Sequence, residues 1–316
     1  MFRLTHSAVG KIFAIAAVAL TLLALPSRTT LADTVSVIPP RFELRGNPGD
    51  TIQEKLRIRN DSQQSITYAI QVEDFQAKDD QGGVDIIEDD SGNDSYKLAS
   101  WITTDLTRVT VAAGEEKTLT ATIKIPKSAE PGGHFATILI KRSGGEVSGG
   151  ASVDSRIGSL ILLRVSGAIT ESAAVDSFKA EESIAQYGPV TFSLRTKNDG
   201  NVHVQPKGTI VIYNIFGREV TKIPLTQANV LPGSARIVKT LWDEKNLVGR
   251  YTATLQATYE QNSQPGVEPK TLTASTTFVV FPLWLLWTIL GIIIILFLMV
   301  TQRKGIKRAL NRLTAD

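Results

Sequence analysis

The chain has 316 residues, no cysteine, three histidines and a formal net charge of +3. Without cysteine it has no disulfide, no thiol nucleophile and no cysteine-ligated metal, and its length is ample for two hydrophobic cores of ordinary size. The charge is unevenly placed: Arg3, Lys11 and Arg28 carry three positive charges and residues 301–316 a net four, leaving residues 33–300 at −4, without the basic footprint of a nucleic-acid binder.

At the start, Arg3 and Lys11 precede the apolar residues 12–25, and small residues Thr30 and Ala32 flank Leu31. That order of charged, apolar and small residues is a secretory signal, so residues 1–32 are expected to be removed before Asp33.

Residues 33–169 read as a first β-sandwich. Val37, Ile38, Pro39, Pro40, Arg41 and Phe42 are expected to form one opening strand, its prolines placing it at a sheet edge. Apolar and polar residues then alternate over residues 55–59 and 66–72, and further strands are expected over 117–125, 134–141 and 156–169. Turn chemistry separates them at Asn47-Pro-Gly-Asp50, Asn60-Asp61, Ala113-Gly114 and Pro131-Gly-Gly133. The glycine-rich residues 143–151 lack the Gly-Lys-Ser/Thr ending of a phosphate cradle and read as a flexible hairpin connection.

Within this region, residues 74–95 form an acidic insertion with eight carboxylates and only Lys78 to offset them. Asp79, Asp80, Asp85, Asp89 and Asp90 are weak calcium candidates, because the regular Asp-x-Asp-x-Asp-Gly spacing is missing. A solvated hairpin and contact surface is the preferred reading.

Residues 170–277 read as a second sandwich, with strands over 174–180, 190–197, 208–215, 219–224, 235–242, 250–259 and 271–280. Seven short strands match a minimal immunoglobulin-like domain. Gly249, Tyr251 and Ala253 resemble a strand-F corner, which makes Gly249 and Tyr251 structural and gives the phenol a backbone acceptor. The two halves echo each other: Asn60 parallels Asn198, Gly114 parallels Gly233, and residues 133–139 parallel 249–255.

Residues 278–300 are uncharged and long enough to cross a bilayer as one helix. Trp284 and Trp287 suit the headgroup layer at its start, and Arg303 and Lys304 open a basic tail, 301–316, expected in the cytoplasm. The fold class is therefore all-β: two immunoglobulin-like β-sandwiches in tandem, followed by a single transmembrane α-helix. The expected location is the cell membrane, single-pass, with the sandwiches outside.

Catalysis is not expected. His134 and His203 have no serine in elbow context, and the pairs Glu115-Glu116 and Glu181-Glu182 point to opposite faces of a strand. No catalytic residue, cofactor or metal is assigned.

Val35-Ser-Val-Ile-Pro-Pro-Arg-Phe-Glu-Leu44, Pro48-Gly-Asp50 and Glu130-Pro-Gly-Gly-His-Phe-Ala136 resemble the first domain of the bacterial WxL-interacting surface proteins. Asn198-Asp-Gly-Asn-Val-His-Val-Gln-Pro-Lys-Gly208, Asn214-Ile-Phe-Gly217, Val230-Leu-Pro-Gly233 and Gly249-Arg-Tyr251 resemble their second domain. The resemblance implies a first domain for peptidoglycan and a second for host or WxL-protein contacts. The expected function is a non-enzymatic, membrane-anchored surface scaffold or adhesin whose partners are the membrane and a cell-wall glycan or surface protein. The alternative is a chaperone-like extracytoplasmic assembly factor, since the first sandwich also resembles pilus-chaperone domains, which carry a basic pair in their cleft.

Overall fold

The computed structural model describes residues 35–87, 94–142, 156–259 and 270–301. The expected signal (1–32), the glycine-rich stretch, Asp89 and Asp90, and the tail residues Arg303 and Lys304 lie outside the described residues.

The first ten strands are β1 (Val35–Ile38), β2 (Arg41–Gly46), β3 (Thr51–Asn60), β4 (Ile66–Ala77), β5 (Val84–Ile87), β6 (Ile102–Thr104), β7 (Arg108–Val111), β8 (Glu116–Lys124), β9 (Gly132–Arg142) and β10 (Arg156–Val165). One sheet runs β1-β3-β8-β6; the other runs β2-β10-β9-β4-β5, with β7 also on β4. Leu56, Ile58, Leu119, Ile123, Ile138, Ile140, Ile161 and Leu163 meet between them in one core. Burying each such side chain stabilises the fold by about 1.5–3 kcal/mol.

The expected single opening strand is in fact two. β1 pairs antiparallel with β3, and β2 pairs parallel with β10 in the opposite sheet. Pro39 and Pro40 have no N–H to give a ladder, so the chain leaves one sheet there and enters the other. The strand expected over 156–169 also stops earlier, at Val165.

The remaining strands are β11 (Ala173–Ala180), β12 (Ile184–Ala185), β13 (Val190–Asn198), β14 (Lys207–Asn214), β15 (Glu219–Pro224), β16 (Ala235–Trp242), β17 (Gly249–Tyr259) and β18 (Lys270–Val280). They form sheets β11-β13-β16 and β12-β18-β17-β14-β15. The opening strand again divides, with β11 antiparallel to β13 and β12 parallel to β18. Phe192, Trp242, Tyr251 and Phe278 pack one end of this core; the Tyr251 and Phe278 rings stack at 5.5 Å. After Phe281 and Pro282 comes α1 (Leu283–Thr301), apolar throughout and with no residue buried against the sandwiches. The architecture is all-β, two immunoglobulin-like sandwiches in tandem followed by one apolar helix.

β9 and the second half of β10 depart from alternation, β9 being buried from Gly132 to Ile140 and β10 from Ile161 to Val165. Ala136, Ile138 and Ile140 face the first core, while Phe135 joins Phe75 and Leu162 in a separate cluster on the outer face. A sheet covered on both faces replaces alternation with a continuous apolar run. The cover on this outer face includes Leu231 of the second sandwich.

Candidate functional site

The acidic insertion proves to be the clasp of this junction. β4 and β5 pair as a hairpin from Asp74–Ile87 to Ala77–Val84. At its turn, Asp79 Oδ1 accepts hydrogen bonds from the N–H groups of Gln81 and Gly83, at 3.0 and 3.1 Å. The tip then reaches the second sandwich. Asp80 accepts from Arg195 Nε at 3.2 Å, and its carbonyl accepts from Ile237 N–H at 2.6 Å. Arg195 also donates to Asp176 at 2.5 Å, and these two carboxylates, Asp176 first, hold the guanidinium above its ordinary pKa. At the hairpin's base, Asp74 Oδ1 receives the N–H groups of Leu98 and Ala99, both at 2.7 Å. Asp79 and Asp80 thus serve a turn and an interface, and Asp85 lies on β5 opposite Gln76. Among the described residues, no three His, Asp or Glu side chains gather as a cation site.

Other contacts seal the junction behind the hairpin. Asn201 Oδ1 accepts from Thr170 N–H at 2.8 Å, and its Nδ2 reaches the carbonyls of Pro131 and Ala168. Its own carbonyl accepts from Gly133 N–H at 2.8 Å. Arg164 and Glu171 form a buried ion pair in which Arg164 Nε and Glu171 Oε2 have no further partner. His203 packs edge-on against Phe135 with centroids 5.9 Å apart, and its Nδ1 is enclosed without a partner. Burial lowers the His203 pKa to about 4; the positive charges of Arg164, Arg41 and Arg45 add to that, and Glu43 opposes it.

Between the clasp and this seal lies a cavity of about 150 Å³. Its floor is Phe75, Leu160, Leu162 and Leu231, and its polar edge is Arg41, Arg236 and Asn229. Arg41 Nε meets Glu43 at 3.0 Å, and Arg236 Nη1 donates to the Asn229 carbonyl at 2.9 Å. Desolvation, followed by the like charge of Arg41, pushes the Arg236 pKa below its ordinary value. Asn229 Nδ2 donates to Glu43, while its buried Oδ1 has no partner. Gly82, at φ +93°, closes over Arg236; a Cβ there would stand 2.4 Å from the guanidinium. A partly buried arginine, Arg236, and an exposed one, Arg41, beside an apolar floor suit a ligand that joins an anionic group to an apolar body.

The other residues singled out in the sequence lie far from this cleft. Tyr251 is buried, and its hydroxyl donates to the Val248 carbonyl at 3.1 Å. Gly249 has φ +114°, in the left-handed region that glycine tolerates. Trp284 and Trp287 sit in the first turns of α1 with exposed side chains. Arg41, Asn229 and Arg236 had no local signal in the sequence, because their convergence depends on how the sandwiches dock. Phe135 and Leu162 had one, the successive apolar residues Phe135-Ala136 and Ile138–Ile140 of β9 and Leu160–Leu163 of β10.

Residues 40–142 match the family model described as WxL Interacting Protein, peptidoglycan binding domain. The family resemblance carried by the sequence motifs is supported by that match. No curated protein matches the sequence. Among solved structures, the chain is similar to one from a chaperone–tip adhesin complex of CFA/I fimbriae biogenesis, at 12% identity, covering 76% of this chain and 98% of that one with a TM-score of 0.41. It is also similar to the class 5 fimbriae chaperone CfaA, at 13% identity over 77% and 99% of the two chains, with a TM-score of 0.39. The E. coli chaperone DraB is 12% identical over 77% and 96%, with a TM-score of 0.35.

Proposed function

We propose that this chain is a non-enzymatic surface protein that binds peptidoglycan from a single membrane anchor. The peptidoglycan-binding family match over residues 40–142 carries the reading. In this reading, residues 1–32 are an export signal, 33–169 and 170–277 are two extracytoplasmic domains, 278–300 cross the membrane and 301–316 remain in the cytoplasm. One apolar helix of 19 residues, none of it buried, is long enough to cross. Trp284 and Trp287 at its start and Arg303 and Lys304 beyond its end support the stated orientation.

The cleft is the proposed wall contact. Half of its lining, including Arg41, Phe75 and Gly82, comes from the family-matched segment. Its arginines complement the carboxylates of a stem peptide. Co-sedimentation of the detergent-solubilised chain with purified cell walls tests this reading. Pelleting that soluble muropeptides compete away is expected; a chain that stays in the supernatant overturns it.

A second reading, a chaperone-like assembly factor for surface subunits, is favoured by one observation. Arg41 and Arg236 place a basic pair in the cleft, as in the pilus chaperones the first sandwich resembles. Stoichiometric capture of a single unfolded surface subunit, without wall binding, would select this reading.

A further inference from the structure

Five large apolar side chains outside α1 are more than half exposed among the described residues: Ile184 at 75%, Tyr187 at 54%, Ile215 at 68%, Phe216 at 87% and Leu241 at 54%. The strand register puts them together. Asn214, the last residue of β14, lies opposite Tyr251, and Tyr251 lies opposite Phe278 of β18. The β14–β15 turn that carries Ile215 and Phe216 therefore projects from the end of the sandwich at which β18 finishes. Val279 N–H donates to Ser183 O at 2.9 Å and Phe281 N–H to Ala185 O at 2.8 Å. These bonds bring β12, with Ile184, and the turn after it, with Tyr187, to the same end. Leu241 is next to Trp242, which closes β16 there opposite Val190.

This is also the end from which α1 departs. Only Phe281 and Pro282 separate β18 from the helix, so Leu283 begins within about 10 Å of Val280. The headgroup layer on each side of a bilayer is about 5–7 Å deep, and Trp284 and Trp287 mark its level at the helix start. The main chain at Phe216 is fixed by the turn: Asn214 Oδ1 accepts from the N–H groups of Phe216 and Arg218, at 3.0 and 3.1 Å, and the Asn214 carbonyl accepts from Gly217 N–H at 2.9 Å. Gly217 takes φ +72° to close the turn. A solvated aromatic on a hydrogen-bonded turn beside a membrane helix is placed to enter the headgroup–acyl boundary.

We infer that this end of the second sandwich is a membrane-docking face, with Phe216 and Ile215 inserted into the bilayer surface and Ile184, Tyr187 and Leu241 resting on it. The inference rests on the proposal that α1 crosses the membrane. Exposed charges at this end have both signs, Arg218 and Lys245 against Asp243 and Glu244, so docking is driven by the apolar side chains and does not require anionic lipid.

The test uses the full chain in phosphatidylcholine vesicles. The sequence has no cysteine, so Phe216→Cys, Ile184→Cys, Ile293→Cys and Leu106→Cys variants each take one environment-sensitive fluorophore. Ile293 reports on the helix and Leu106 on the first sandwich. Nitroxide placed just below the lipid headgroup should quench the labels at 216 and 184 at least about two-fold, and these labels should resist aqueous iodide better than the label at 106. Labels at 216 and 184 that iodide reaches freely and lipid nitroxide does not quench, with 293 quenched from within the bilayer, overturn docking but leave the membrane span standing. Shielding from iodide without lipid quenching means that protein covers the face, which also overturns docking. A label at 293 that no lipid nitroxide reaches overturns both readings.

Discussion

Asn60 and Asn198 make the same set of hydrogen bonds at the same place in the two sandwiches. Asn60 Nδ2 donates to the carbonyls of Gln64 and Val111 at 2.7 and 2.9 Å, and Asn198 Nδ2 to those of Val202 and Val230 at the same two distances. Each Oδ1 accepts the N–H two residues on, from Ser62 and from Gly200. Each main-chain carbonyl accepts from a glycine in the left-handed region, Gly114 at φ +70° and Gly233 at +66°. Both asparagines are fully buried. One amide, with two donors and an acceptor, pins two separate loops to the end of a strand in each sandwich.

Asn198→Ala should leave the buried Val202 carbonyl without its donor, at about 1–3 kcal/mol, while the Val230 carbonyl keeps the Val204 N–H. Asn198→Asp should cost at least as much, because a carboxylate cannot donate to either carbonyl. Urea unfolding of the pair checks this, and Asn60 should behave in the same way. An aspartate variant as stable as the parent would contradict it.

Tyr251→Phe removes only the hydroxyl that meets the Val248 carbonyl. The expected loss is about 1 kcal/mol, read as a lower unfolding midpoint, with wall binding unchanged. Unchanged stability with lost binding would make Tyr251 a contact residue.

Glu171→Ala should be among the most damaging single changes, at about 3–5 kcal/mol. It leaves the Arg164 charge buried without its partner. Replacing Arg164 and Glu171 together by apolar residues should recover much of the loss, since no lone charge then remains inside. A double variant no more stable than Glu171→Ala would argue against that account.

His203 should make the junction acid-sensitive. Its folded pKa of about 4 lies below the ordinary 6.5, so between those values the unfolded chain binds a proton that the folded junction refuses. Stability from this group is therefore full above pH 6.5 and falls toward pH 4, by on the order of 1–3 kcal/mol. His203→Gln should flatten that part of the stability–pH curve; a slope unchanged over pH 4–6.5 would count against the assignment.

Chelation should not move the unfolding midpoint, because Asp79 and Asp80 already serve the hairpin turn and Arg195. A large fall with chelator would return the acidic insertion to the calcium reading.

Much of the fold was legible in local pattern. Leu56 and Ile58 alternate with charged residues and face the core as expected, and all seven strands read in residues 170–277 are present. The short strands β5, β6 and β7, of three or four residues, escaped notice because alternation needs more length to register. The cleft was not legible. Asp80 finds Arg195 across 115 residues of sequence, and nothing near Asp80 distinguishes it from a solvated acid. His203 looked like an ordinary residue beyond a turn because its enclosure comes from Phe135 of the other sandwich.

The β4–β5 clasp has a mechanical consequence. It bonds to the second sandwich through the Ile237 main chain as well as through a side chain, and the linker carbonyl of Ala168 is held by Asn201. The connection between the sandwiches is thus a stiff joint instead of a swivel. In the proposed reading, a tether built this way has no slack at its middle, and the distance between its two sandwiches is set by bonded surfaces and not by the reach of a loose chain.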